Sequence, residues 1–202
     1  GLNVKYEAIT EIGAVILKNG KITDTFQTFV NPNRRLTPEI IGLTGITDEM
    51  LKGAPQPREA LERFLKFVGG RPLAAHNAEF DIGFIRENCR KEGLPFDPTY
   101  IDSLILAQNL LPELTHFKLD VVAERLKLPA FNHHRASDDG ATVGYMLAPF
   151  FDMLRPPHSI FHPDMAQRSD AERAAHWFRL SHRKLSKPPI VQSLSGRHYS
   201  TA

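Results

Sequence analysis

Two stretches of this chain put acidic side chains in places that call for a chemical reason. In "AAHNAEFDIGFI" (74–85), Asp81 stands among Phe80, Ile82, Phe84 and Ile85, where an uncompensated carboxylate would cost several kcal/mol. In "NHHRASDDGAT" (132–142), Asp138 and Asp139 follow Ser137, and His134 comes five residues before Asp139. Asp81 falls in the first turn of a predicted helix just after a strand, and Asp138 and Asp139 occupy the same kind of place after Ser137. Each could simply oppose the positive end of its helix, a contribution of about 0.3–1 kcal/mol. The histidine points further, because a loop can bring its ring beside a carboxylate-bound ion. Carboxylates from separate elements around an open centre suit Mg²⁺ or Mn²⁺, which prefer oxygen ligands and keep waters. A neutral histidine nearby could take a proton from such a water. Two ions would stabilise the attacking and leaving oxygens of an in-line phosphoryl displacement.

These residues must be held by elements that the sequence also announces. "EAITEIGAVILKNGKITDTFQTFV" holds two β-rich runs separated by Lys18-Asn19-Gly20-Lys21, and Asn-Gly is the strongest short hairpin signal. "NPNRRLTPEIIGLTGITDEMLKGAPQP" reads as short helices joined by turns, one of them starting near Thr47-Asp48-Glu49-Met50. "REALERFLKFV" (58–68) sets Ala60, Leu61, Phe64, Leu65 and Val68 on one stripe of a helix. "RPLAA" is a short strand, and "EFDIGFIRENCRKEG" a helix ending at Gly93. A strand near Tyr100-Ile101 leads into "SLILAQNLL". "KLDVVAERLKL" is amphipathic, and "SDDGATVGYMLAPFFDML" is a long helix opening on the cap candidate Ser137. A hairpin followed by alternating helices and strands predicts a mixed α/β sheet covered by helices.

The totals set bounds on this reading. Hydrophobic content of 42% and charged content of 24% are ordinary for a soluble globular protein. No stretch approaches a membrane span or a signal peptide, so a cytoplasmic protein is expected. The single Cys89 excludes an internal disulfide and reads as a buried, inert thiol in a helix. No Cys/His pattern for structural zinc is present. A formal charge of +2 permits a nucleic-acid partner without arguing for one. The texture changes after residue 154: "RPPHSIFHPDMAQRSD", "AERAAHWFRLSHRK" and "LSKPPIVQSLSGRHYSTA" carry more Lys and Arg than Asp and Glu. The expected organisation is a domain over 1–154 and a less regular, basic extension or start of another domain over 155–202. A solvated linker is the first reading of the extension, ahead of a nucleic-acid-binding arm.

"LTGITDEMLKGAP", "LAAHNAEFDIGFI", "IDSL" and "HHRASDDGAT", in this order, resemble the DEDDh family of 3′–5′ exonucleases. Within it, "LLPELTHFKLDVVAERLKLP" with "NHHRASDDGATVGYML" is most similar to the proofreading exonuclease region of PolC-type bacterial DNA polymerase III. The resemblance implies a ribonuclease H-like mixed β-sheet flanked by helices. It implies two divalent ions, Mg²⁺ or Mn²⁺, with Asp81 and Asp139 as metal ligands and His134 as general base. It implies release of nucleoside monophosphates from DNA 3′ ends during replication, with the polymerase in the same chain or as a subunit. Asp138 and His133 align with no family ligand or base. Leu2, Leu43, Thr44, Gly45, Ile46, His76 and Asn77 match segments that contact substrate, although Gly45, His76 and Asn77 would serve equally well in ordinary turns. Apolar Leu43 or Ile46 against a base would give sequence-tolerant contact. Asp102 matches a recurrent Asp near the site, in a structural hydrogen-bonding role or a catalytic one.

The family's first motif reads Asp-x-Glu-Thr-Thr-Gly-Leu on its opening strand, and Gly1-Leu2 matches only its last two residues. Glu7 and Glu11 do not obviously replace the other acidic pair. The expectation is a natural protein that extends further N-terminally, since a sheet lacking an internal strand would leave backbone groups unpaired. Two rival functions follow: a DEDDh exonuclease acting on RNA, and a non-catalytic module that binds nucleic acid or protein.

Overall fold

The computed structural model describes residues 7–128, 136–155 and 190–193. Leu2, His133 and His134 lie outside the described residues. The hairpin forms as expected: β1 (Glu11–Lys18) and β2 (Lys21–Phe29) pair antiparallel, closing on Lys18 opposite Lys21. Asn19 and Gly20 both take positive φ, 53° and 72°, as a two-residue turn matched to strand twist requires. The proline- and threonine-punctuated segment folds into α1 (Pro38–Thr44) and α2 (Asp48–Leu51), capped by the Thr37 and Thr47 hydroxyls. The predicted stripe becomes α3 (Pro57–Val68), which starts on proline and stops at left-handed Gly69. Then follow β3 (Leu73–Ala75), α4 (Ala78–Lys91), β4 (Tyr100–Asp102), α5 (Ser103–Leu110), α6 (Leu119–Arg125) and α7 (Ala136–Met153).

The strand order is β2-β1-β5-β3-β4, with β5 formed by Ile190–Ser193. The central slot beside β1 is therefore filled by four residues from the segment expected to be an irregular extension. β5 runs antiparallel to β1 and parallel to β3, and β3 and β4 are parallel. The sheet is mixed, as predicted, and its inner strands read as apolar runs because both faces are covered.

Alternating side chains sort to two faces. Ile12 and Ala14 of β1 and Leu73 and Ala75 of β3 pack with Leu61 and Phe64 of α3 and Ile82 and Ile85 of α4. Val15 and Ala74 point the other way, into Val122 of α6 and Val143, Met146, Leu147 and Phe150 of α7. Helices thus cover both sides of one sheet. Cys89 is buried, and burial pushes its thiol pKa up to about 11. Among the described residues no helix is long and apolar enough to cross a membrane.

Candidate active site

Three helices begin at one edge of this sheet. α4 starts three residues beyond β3, and α5 directly follows β4. α7 reaches the same level by another route. Gly13 of β1 pairs with Ser193, while Ala74 of β3 pairs with Val191, so the start of β1 lies level with the carboxyl end of β3. The first turn of α7 rests on Gly13: a Cβ added there would meet the Ala136 carbonyl carbon at 2.3 Å and the Ser137 nitrogen at 2.4 Å. Asp81 and Asp139 consequently stand near the N-termini of α4 and α7, on opposite faces and at the same edge. The carboxyl ends of parallel strands are where open α/β sheets place their ligands. Asp81 is fully buried and Asp139 is 9% exposed; for two carboxylates this is an expensive placement that positive charge nearby would offset.

Asp102 holds this edge together. Its Oδ1 accepts the N–H of Leu104 at 2.9 Å and of Asn77 at 3.0 Å, and its Oδ2 accepts the N–H of Ala78 at 2.9 Å. One carboxylate therefore caps its own helix α5 and the start of α4, whose N-cap Asn77 makes no side-chain cap bond of its own. This is the structural role that the sequence left open beside a catalytic one. Asn77 itself is exposed and left-handed, at φ 65° and ψ 55°, so it makes the turn. Tyr100 donates its hydroxyl to Glu79 in the first turn of α4, and this hydrogen bond, ahead of burial, raises the tyrosine pKa.

Three of the predicted substrate contacts are buried. His76 is fully buried: its Nε2 lies 2.6 Å from the Phe117 carbonyl and its Nδ1 3.0 Å from Ser103 Oγ. The Phe117 carbonyl can only accept, so Nε2 donates to it, and the Ser103 hydroxyl also donates to the Ala75 carbonyl at 3.2 Å. Ile46 is 1% exposed. Leu43 is half-buried and Gly45 exposed. Gly45 stops α1 at φ 66°, its N–H donating to the Ile41 carbonyl. Thr44 is buried, its hydroxyl donating to the Ile40 carbonyl at 2.8 Å and accepting from the Ile46 N–H at 3.1 Å. Ser137 is inside α7 and donates its hydroxyl to Gln27 Oε1 at 3.1 Å. The helix already includes Ala136, so Ser137 does not cap it.

Residues to which the sequence assigned no part in the site complete the surroundings. Glu11 is fully buried on the α7 side of β1 and accepts from Gln27 Nε2 at 2.7 Å. A cavity of about 220 Å³ opens beside it, walled by Thr44, Phe80 and Phe84 and rimmed by Arg34 and Arg35. Arg34 also pairs with Glu7 at 2.8 Å. Aromatic walls with guanidinium groups at the rim suit a stacked base and its phosphate. Only the aromatic positions beside Asp81 carried a hint of this in the sequence. Hard carboxylate oxygens at helix N-termini fit Mg²⁺ or Mn²⁺ by donor chemistry. Among the described residues no group of three His, Cys, Asp or Glu side chains is placed to hold an ion. The donor set given by Asp81 and Asp139 is thus suitable in kind and partial in number.

Comparison with known proteins bears on the family and the fold. Residues 1–147 match the profile of the RNase_T family, described as exonuclease. The PolC-type DNA polymerase III of Caldanaerobacter subterraneus subsp. tengcongensis is 41% identical over 155 residues, which cover 77% of this chain and 11% of that protein. Its counterpart in Thermotoga maritima is 39% identical over 156 residues, with the same coverage. The chain therefore spans about a tenth of the polymerases it matches. Among solved structures, the nuclease domain of 3′hExo, a DEDDh family member bound to rAMP, superimposes with a TM-score of 0.62 at 21% identity, covering 72% of this chain and 81% of that one. Exonuclease X in complex with 5′ overhanging duplex DNA gives 0.58 at 24% identity, covering 84% and 93%. At such identities these two likenesses speak for the fold, the ribonuclease H-like α/β arrangement expected from the motifs.

Proposed function

We propose that this chain, which belongs to the exonuclease family, removes nucleotides one at a time from the 3′ end of DNA as the proofreading activity of a PolC-type polymerase. The observation that carries this is the pair of buried carboxylates, Asp81 and Asp139, brought by two helix N-termini to the same edge of the sheet. The similarity to PolC-type polymerases supports the setting, and neighbours bound to DNA ends support the substrate class. A single-stranded or frayed 3′ end would enter along the cavity. Phe80, backed by Phe84, would take the base face, Arg34 and Arg35 the phosphates, and Leu2, Leu43, Gly45 and Asn77 the terminal nucleotide, with Thr44 holding that segment from within. Ile46 and His76 support those contacts from behind.

Asp81 and Asp139 would hold two Mg²⁺ or Mn²⁺ ions together with ligands outside the described residues. When bound, such ions neutralise charge on the phosphate and lower the pKa of water. His134 takes a proton from the attacking water, whose oxygen forms a bond to the terminal phosphorus. The bond to the 3′ oxygen of the preceding nucleotide breaks, and a nucleoside monophosphate leaves.

Cleavage of 5′-labelled single-stranded DNA with Mn²⁺ tests the reading. A ladder shortening from the 3′ end is expected, lost in Asp81→Ala, Asp139→Ala and His134→Ala. A ladder of unchanged rate in any of the three would refute that residue's role. A second reading, an RNA substrate, draws support from the neighbour bound to rAMP, and RNA of equal sequence separates the two. Binding without turnover, in wild type and variants alike, would favour a non-catalytic module, for which the partial donor set among the described residues speaks.

A further inference from the structure

We propose that Glu11 and Gln27 are positioning residues: together they clamp the first turn of α7 onto the hairpin and so fix the Asp139 carboxylate. The inference rests on the exonuclease reading of Asp139. Its observations are independent of that reading. Glu11 lies on β1 with its side chain fully buried. One oxygen accepts from Gln27 Nε2 at 2.7 Å, and the other accepts the backbone N–H of Ala136 at 3.4 Å. Gln27 in turn accepts the Ser137 hydroxyl at 3.1 Å through Oε1. Two side chains of the hairpin thus reach two consecutive residues at the start of α7.

Gly13 makes the arrangement possible. In the β1–β2 register Gly13 is opposite Gln27, and Glu11 is two residues away on the same face, the diagonal separation across which long side chains meet. With no side chain at position 13, Gln27 crosses to Glu11 and the backbone of Ala136 descends onto the strand. Asp139 is three residues beyond Ala136, one helical neighbour along the same flank. A shift at Ala136 is therefore passed directly to Asp139. An acid buried on an inner strand is costly to keep unless its hydrogen bonds are made. Here those bonds go to the hairpin and to the helix that carries the other acid.

The experiment uses the whole chain, with Mn²⁺ as the probe. Gln27→Met keeps the length and removes both hydrogen bonds at an exposed position on the edge strand, so the variant folds. Free Mn²⁺ measured by electron paramagnetic resonance should show affinity weakened about tenfold in Gln27→Met, the loss common when the support of a metal ligand is removed. Glu11→Gln should weaken it similarly, and the double variant should be no worse than the weaker single. Amide exchange at Ala136 and residues 139–141 should accelerate while the unfolding midpoint of Gln27→Met stays near wild type. A purely structural role would move the midpoint and leave Mn²⁺ affinity alone, and that result overturns the proposal. Asp139→Ala separates the two readings. If it loses Mn²⁺ while Gln27→Met and Glu11→Gln retain wild-type affinity, the clamp fails and the metal centre stands. If wild type binds no Mn²⁺, the metal reading fails, and unchanged amide exchange at Ala136 and 139–141 in both variants then overturns the clamp by itself.

Discussion

Replacing Asp102 with alanine removes one carboxylate from two helices at once. Three backbone N–H groups lose their acceptor, those of Asn77, Ala78 and Leu104. Loss of a single side-chain cap costs about 1 kcal/mol, and hydrogen bonds to charged groups run about 1.5–3 kcal/mol each. The site is half-buried, so water replaces part of what is lost. The expected destabilisation is about 2–3 kcal/mol, counting one cap at α4 and one at α5 with some charge assistance. For a chain of this size that lowers Tm by about 4–12 °C. Asp102→Asn keeps one acceptor but turns an amide nitrogen toward an N–H, and should fall between alanine and wild type. Urea unfolding at constant m gives the free energies, and amide exchange gives the location. Exchange should quicken at residues 77, 78 and 104 ahead of the rest of α4 and α5. An alanine variant within about 0.5 kcal/mol of wild type, the range of an ordinary surface change, would refute the double-cap argument.

Asn77 offers a second separation of roles. Asn77→Gly relieves the left-handed backbone and should leave stability unchanged or slightly raised, whereas Asn77→Ala should cost about 1 kcal/mol; a fall in cleavage by the stable glycine variant would reveal a substrate contact of the amide. Native Cys89, with a thiol pKa of about 11, should react with a thiol reagent at pH 8 only as fast as the protein opens, and equal rates for native and unfolded chains would exclude that burial. Because the folded state keeps this proton above the ordinary thiol value of 9.0, unfolding releases it. Stability should therefore fall as pH rises from about 9 toward about 11, and a Cys89→Ala variant should lack that part of the slope.

The sequence disclosed what is local. Asn19-Gly20 named its turn because two successive residues at positive φ leave few alternatives, and the stripe of α3 follows from period alone. The acidic residues of the candidate site were legible for the same reason: Asp81 interrupts an apolar run, and Asp139 opens a helix. What escaped was decided across the sheet. Glu11 looked like one more polar residue on a strand until α7 settled over Gly13 and gave its buried oxygens an address. His76 read as a substrate contact or a turn residue because its two anchors, Ser103 and Phe117, are far along the chain. Ser137 looked like a cap because residue type marks a helix start well and its exact position poorly. Four residues of a proline-flanked, basic tail gave no signal that they would pair in the middle of the sheet.

That last pairing has a kinetic side. Among the described residues, the hairpin β1–β2 and the parallel pair β3–β4 are joined within the sheet through β5, whose residues follow Ala75 in β3 by more than a hundred positions. Closing so long a loop is slow, because its entropy is lost before the new contacts repay it. Local helices and the hairpin need only near neighbours, whereas the pairing of residues 190–193 with β1 and β3 must wait for the whole intervening chain. During that interval the inner edges of β1 and β3 are open to any extended segment nearby. The strand that bridges β1 and β3 thus comes from the far end of the described residues, and its pairing is the slowest kind of contact this sheet has to make.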